Sequence, residues 1–371
     1  MEGCEMFKKC CRSESSTVTE GCMTINNYNY YCCCCCGGTD PDYSGVIGVV
    51  DTGERSVDGA RLLHCDYAGN ILDALDTDYF NTVSPWKDMK EVTIDGDEFV
   101  VLPRFWVRRD TQPAGKEYEG NQRWLISPIE REGFECDGAV FKNSDGEWVD
   151  EVYIAKYRAQ NNGQGIPLSL ASGTRWSGLT WDNAISACSE KGDTYSLLNY
   201  QTWCSVLWLA LVERATFQLY PEDVRRDPNI CVYRGIEEFC YASTIEREWV
   251  EGLRINSSGY IEIYGQDGGR TYQATDEGFV AWDDANEAYI RALNSSAYLK
   301  NYFIANEVGE IDACLIPDIT NRDMRGSTSA ASTCTYTFFD PTPATHGAFT
   351  IFTHNAVNYA PMNCSFRFMK V

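Results

Sequence analysis

The chain has 371 residues, 44% of them hydrophobic and 13% aromatic, and a formal net charge of −23. Apolar content at this level excludes a largely disordered protein, and the length accommodates one large or two ordinary domains with a substantial core. Such acidity argues against a phosphate-backbone binder, which needs a basic footprint; it suits a protein that resists self-association, or one that meets cations or polar glycans.

Residues 1–44 form a segment of their own. Met1 to Cys11 hold no apolar leader core and no lipidation pattern, so synthesis in a cytosol is expected, and the Asn-X-Ser matches at Asn256 and Asn294 are read as chance. Half of the 18 cysteines lie here: Cys4, Cys10, Cys11, Cys22 and the run Cys32 to Cys36. Five adjacent thiols do not fit one tetrahedral metal, and no Cys-x-x-Cys pair has a matching partner pair. A zinc site, inter-chain disulfides and a packed or lipid-facing arm in an assembly all stay open; an arm that attaches the protein to something else is the expectation. The other nine cysteines are scattered, many at apolar positions where a thiol acts as a small hydrophobe.

Residues 45–95 read as a β-rich lead-in. Val46 to Val50 is a strand candidate, Asp51-Thr-Gly-Glu a turn, and His64-Cys-Asp-Tyr and Asp73 to Asp78 loop and short-helix material. From Glu98 to Arg109 apolar and polar residues alternate as in strands, with Arg123 to Ser127 the return strand of a hairpin whose turn holds Gln112 to Lys116. Val149 to Tyr157 is a further strand.

Two helices come next. Thr180 is placed to cap the first, whose Trp181, Ala184, Ile185 and Cys188 recur at helical spacing. Asn199 is placed to cap the second. Tyr200, Trp203, Cys204, Leu207, Trp208 and Leu211 form its apolar side, and Val206, Leu209 and Ala210 extend that side almost all round, which predicts a helix enclosed in the core. Its apolar run is about a dozen residues, short of the roughly 20 that cross a bilayer.

In 219–325, Tyr233 to Ile236, Ser258 to Tyr264 and Phe279 to Trp282 are strand-like, while Gly265 to Gly269 and Asn294 to Ser296 are turns. Asp267, Asp276, Asp283 and Asp284 offer oxygens suited to calcium, but no fixed ligand loop is present and solvated acidic loops are the simpler reading. No cofactor is expected. Three histidines, His64, His346 and His354, leave little for a His-based metal or triad site, and no hydrolase, zinc-protease, phosphate-loop or dinucleotide motif occurs. Carboxylate pairs are too many to nominate one for glycoside hydrolysis.

The helical segment, Thr180-Trp-Asp-Asn-Ala-Ile-Ser-Ala-Cys188 and then the helix around Gln201-Thr-Trp203, resembles the two-helix signature of the formylglycine-generating-enzyme-type C-type lectin fold. Trp208 to Gln218 is similar to one branch of it, the tail-fibre and receptor-binding proteins of bacteriophages; diversified adhesins of diversity-generating retroelements share the fold. The order of Ser127-Pro128, Gly133-Phe134 and Val152-Tyr-Ile154 extends the likeness back to about residue 96. At the other end Gly326-Ser327, Gly347-Ala-Phe349 and Phe366-Arg367 match the family's closing pattern, although Ser365 stands where the family prefers Gly and its usual Trp is missing from 326–332. The catalytic cysteine pair of the formylglycine-generating enzymes has no counterpart, since Cys334 and Cys364 lie far apart in sequence.

The resemblance implies an α+β protein: a C-type lectin-like domain over 96–371 with two core helices and irregular β-sheets, preceded by the Cys-rich arm 1–44 and the lead-in 45–95. It implies a non-catalytic phage tail adhesin in the virion, a homotrimer held to other tail proteins through residues 1–44, binding a bacterial surface receptor, glycan or protein, and no nucleic acid. By position in the family the binding face is Thr345, His346, Thr350, Phe352, His354, Asn355, Val357, Asn358 and Tyr359. These residue types suit recognition, because Tyr, His and Phe give contact area with few rotors to freeze while Asn and Thr give adaptable hydrogen bonds. Alternatives are a structural tail or baseplate component, an enzyme acting on surface polysaccharide, and a cellular diversified adhesin.

Overall fold

The computed structural model describes residues 23–25, 28–30, 43–219, 232–239, 246–256, 258–278, 289–310, 313–319, 332–339, 349, 351–356, 360, 362 and 364–371. The chain separates into two units, Met1–Ser44 and Gly45–Val371. In the first, β1 (Met23–Ile25) pairs antiparallel with β2 (Tyr28–Tyr30). The second is mainly β, with four α-helices among the described residues, and is α+β in class.

It opens with a hairpin of β3 (Ile47–Ser56) and β4 (Gly59–Asp66). Asp51-Thr-Gly-Glu, expected as a turn, is instead an irregularity within β3: the register with β4 shifts between Asp51 and Arg55. Asp51 Oδ1 accepts from the Gly53 amide at 2.8 Å and its carboxylate pairs with Arg55, so the bulge is stapled by its own side chains. His64-Cys-Asp, expected as loop, is the end of β4. His64 is buried; its Nδ1 accepts from the Leu75 amide at 3.3 Å, which leaves Nε2 as the donor to Val212 O at 2.8 Å. Burial holds its pKa below the usual value, so the imidazole is a neutral core group.

The one-turn helix α1 (Thr77–Phe80) is capped by Asp76 and precedes β5 (Glu91–Ile94), β6 (Asp97–Pro103), β7 (Trp106–Thr111) and β8 (Gln122–Ser127). Strands β7 and β8 form the expected hairpin, and β8 also pairs with β3, giving a sheet ordered β4-β3-β8-β7. Residues 45–95 thus share sheets with strands of 96–371. After α2 (Gly138–Phe141) come β9 (Glu151–Ala155) and the short pair β10 (Gln160–Asn161) and β11 (Pro167–Leu168).

Helix α3 (Trp181–Glu190) starts where Thr180 accepts from the Asn183 amide, and β12 (Tyr195–Leu197) leads to α4 (Tyr200–Arg214), where Asn199 accepts from the Thr202 amide at 2.6 Å. Trp181, Ala184 and Cys188 are buried as their spacing predicts. Thirteen consecutive residues of α4, Tyr200 to Val212, are buried, and the helix lies against β3, β8 and β13 (Glu246–Asn256). Each large side chain it removes from water contributes roughly 1.5–3 kcal/mol, which makes α4 the centre of the core. Indole N–H groups tie the surroundings to it: Trp86 donates to Leu209 O at 3.0 Å and Trp208 to Asn301 O at 2.7 Å.

Strand β13 is the longest of the described strands. Beyond it lie β14 (Tyr260–Tyr264), β15 (Tyr272–Gly278), β16 (Tyr289–Leu293), β17 (Ala305–Gly309), β18 (Ile316–Ile319), β19 (Ser332–Phe339), β20 (Ile351–Ala356), β21 (Cys364–Phe366) and β22 (Phe368–Lys370). One sheet runs β12-β22-β9-β6-β5; another runs β15-β14-β13-β19-β20, with β21 parallel to β13; a third is β17-β16-β18. Tyr233 to Ile236, expected as a strand, is a tight turn closed by a Tyr233–Ile236 bridge and pinned by Arg234, which holds the Glu213 carboxylate at 2.7 Å through two nitrogens. Phe279 to Trp282 lies outside the described residues.

Candidate functional site

Of the nine residues implied as a binding face, Phe352, His354 and Asn355 lie on β20. Thr345, His346, Thr350, Val357, Asn358 and Tyr359 lie outside the described residues. Among the described residues β20 has β19 as its one partner in the sheet order and so forms the sheet's edge, where one row of backbone N–H and C=O groups faces away from the ladder. Phe352 is registered with Tyr336 and Asn355 with Cys334. Between those pairs β20 advances by one residue more than β19, a bulge that falls at Thr353 and His354.

The edge stands on a firmly built base. Phe349, just before β20, is buried, its ring 4.8 Å from that of Phe303 and 5.6 Å from that of Phe217. Inward of β19, Trp249 of β13 donates to Leu179 O at 3.1 Å, and Trp181 of α3 donates to Val250 O at 2.8 Å, a reciprocal tie between sheet and helix. Strand β21 lies along β13, with Cys364, Ser365 and Phe366 registered on Arg247, Glu248 and Trp249.

Phe366-Arg367, part of the C-terminal pattern, proves to be a core device. Arg367 is fully buried, and its guanidinium donates to Glu248 Oε1 at 3.0 Å, Ala155 O at 2.9 Å, Lys156 O at 2.6 Å and Glu237 O at 2.9 Å. Desolvation lowers the arginine's pKa and the Glu248 charge opposes the fall. Ser365 Oγ accepts from Arg158 Nη1 at 3.0 Å, so the serine found in place of glycine contributes a bond to the same cluster.

Several other chemically capable groups are engaged in bonds within the fold or held neutral by burial. Asp137 receives Tyr302 Oη at 2.8 Å, Gln266 Nε2 at 2.9 Å and the Ala139 amide at 3.0 Å; burial raises its pKa and those three donors hold the rise down. Glu251 is buried and accepts from Tyr264 Oη at 2.8 Å; desolvation pushes it up to about 7 against the opposing charge of Arg270. The Cys204 thiol is raised to about 12 by burial, well outside the range of a reactive thiolate. Asp267 Oδ1 accepts from the Gly269 amide within its turn, Asp276 lies on β15, and Asp283 and Asp284 fall outside the described residues. Among the described residues no three His, Cys, Asp or Glu side chains gather as metal ligands would.

Two clefts of the described surface are large enough to take a small molecule. One of about 420 Å³ is walled by Asn81, Glu91, Glu213 and Arg234, and its central charges are already paired as Arg234 with Glu213. The other, of about 220 Å³, lies where the turn between β14 and β15 meets Glu135 to Asp137 and the 297–302 turn. Local sequence signals place the Gly265 to Gly269 turn, and a turn at Asn294 to Ser296 just before the 297–302 segment, but not their meeting, because that depends on how β13 to β16 are wound. No protein-family model matches the chain, and no curated protein matches it in sequence.

Proposed function

We propose that the chain is a tail protein of a bacteriophage virion that binds a host-cell surface receptor, with a C-type lectin-like domain over 96–371 and without catalysis. The observation that carries this reading is the placing of β20, with Phe352, His354 and Asn355, on a sheet edge whose supporting strands are locked to the core by Phe349, Trp249 and Arg367. Recognition residues on a rigid scaffold, on a strand that has β19 as its one partner among the described residues, are what a binding tip requires. The two capped helices, and the return of the last strand β22 to pair with β9 and β12, are consistent with the lectin-like fold. In this reading Thr345, His346, Thr350, Val357, Asn358 and Tyr359 complete the face, residues 1–44 attach the protein to other tail components, and three copies assemble.

The place of β20 at the end of the sheet order, among the described residues, favours a second reading, a structural tail component, because an edge strand also accepts a strand from a neighbouring virion protein. Binding of the purified full-length protein to intact candidate host cells separates the two. Saturable binding that competes with phage adsorption supports the adhesin; a folded, assembled protein that binds no cells supports the structural component. Prior treatment of the cells with protease or periodate then tells a protein receptor from a glycan.

A further inference from the structure

Among the described residues the 220 Å³ cleft is lined by Glu135, Asp137, Gln266, Gln273, Tyr298 and Tyr302, a polar and aromatic set. Its floor is fixed. Gln266 donates to Asp137 Oδ1 and to Tyr302 Oη at 3.2 Å while its Oε1 accepts from the Gly138 amide at 2.7 Å, so the orientation of the side-chain amide is set. Gly138 permits this approach: a Cβ there would lie 2.2 Å from the Gln266 carbonyl oxygen. On one wall Glu135 is held from both sides, Oε1 by Lys300 Nζ at 2.5 Å and Oε2 by Asn301 Nδ2 at 2.8 Å. A carboxylate offers about four acceptor positions, so each oxygen keeps one for a ligand.

The rim is aromatic and polar. Tyr298 is 57% exposed, and Gln273, also in the lining, is exposed as well. An exposed ring beside planar amide and carboxylate groups matches a sugar, which has an apolar C–H face to stack and hydroxyls to bond. The volume falls below the roughly 300–1,000 Å³ of clefts that take drug-sized molecules, and so admits one ring of a longer chain. Charge narrows the class further. Glu135 and Asp137 line the site, Lys300 is already paired with Glu135, and the protein carries −23 overall, all of which disfavour an acidic sugar.

We propose that this cleft binds a single neutral pyranose residue of a cell-surface polysaccharide, stacked on Tyr298 and hydrogen-bonded by Gln273 and Glu135. The inference rests on the receptor-binding reading for the source of the sugar, not for the chemistry of the cleft. The test is titration of the full-length protein with methyl glycosides of neutral hexoses, N-acetylhexosamines and sialic acid, followed by saturation-transfer NMR. One or more neutral glycosides should bind and sialoside should not. Tyr298→Ala should weaken that binding by about tenfold, the loss of one stacked ring, whereas Tyr298→Phe, which keeps the ring, should preserve it.

Absence of binding by every neutral glycoside, or binding that Tyr298→Ala leaves intact, overturns the proposal. Cell binding by the same preparation keeps the two readings apart. Cells bound without any Tyr298-dependent glycoside binding would remove the cleft and keep the adhesin; glycoside binding lost in Tyr298→Ala without cell binding would keep the cleft and remove the adhesin.

Discussion

Arg367 and Glu248 form an ion pair at 3.0 Å in which both side chains are withdrawn from water, 0% and 1% exposed. The pair joins the residue between β21 and β22 to β13, and the remaining guanidinium donors fasten it to the backbone at the end of β9, at Ala155 and Lys156, and at Glu237. It therefore connects the sheet that carries β20 with the sheet that carries the last strand.

Breaking that pair should be costly, since removing one member of a buried pair leaves the other uncompensated. Arg367→Met is expected to destabilise the fold by about 3–5 kcal/mol. Urea unfolding checks it, and the double variant Arg367→Met with Glu248→Met should cost less than the sum of the singles. A loss below about 1 kcal/mol in Arg367→Met would show that the cluster is relieved by water or by Arg158.

Glu251 makes stability depend on pH. It lies among Tyr264, Tyr272, Arg270 and Cys188, and its folded pKa of about 7 is above the ordinary 4.5. Folding therefore takes up a proton between those values, and the stability present at low pH is lost as pH rises through about 7. The contribution amounts to about 3 kcal/mol across the window. Glu251→Gln should remove that part of the slope, so the urea midpoints of wild type and variant should converge at pH 5 and separate at pH 8, with the variant the more stable. Parallel pH profiles would contradict this.

Gly252 is a position where backbone and packing both demand glycine. Its φ is +80°, and a Cβ would lie 2.2 Å from Gln201 Oε1, whose own amide nitrogen donates to Gly252 O at 2.8 Å. Gly252→Ala should cost about 1–3 kcal/mol for the backbone alone, with more from the displaced Gln201. Thermal unfolding measures it; a variant as stable as wild type would mean that the register shift of β13 against β19 between Val250 and Ile255 can be redrawn.

Legibility in the sequence depends on the range of the interaction. Thr180 and Asn199 are local signals, since a cap bonds within three residues, and both helices start where those residues stand. The apolar surround of α4 likewise requires burial whatever the partner. The β7–β8 hairpin and the Gly265 to Gly269 turn follow from alternation around a polar connection. Asp51-Thr-Gly-Glu carries turn residues yet sits within a strand, because Arg55 and the β4 register stabilise a bulge there. His64-Cys-Asp reads as loop because nothing local shows that Val212, 148 residues away, accepts its proton. Similarly, the role of Arg367 depends on residues 119 to 212 positions away, and the 220 Å³ cleft on elements more than 120 residues apart.

Receptor contact by the C-terminal segment on and around β20 is tested most directly by adsorption to host cells of a variant altered only there. Phe352→Ala, Asn355→Ala and Tyr359→Ala are combined in the full-length protein, with urea unfolding and sedimentation showing that fold and assembly are kept. Saturable binding to host cells and competition with phage adsorption should both be abolished. Adsorption equal to wild type, in a variant with unchanged fold and assembly, would contradict the assignment of the binding face.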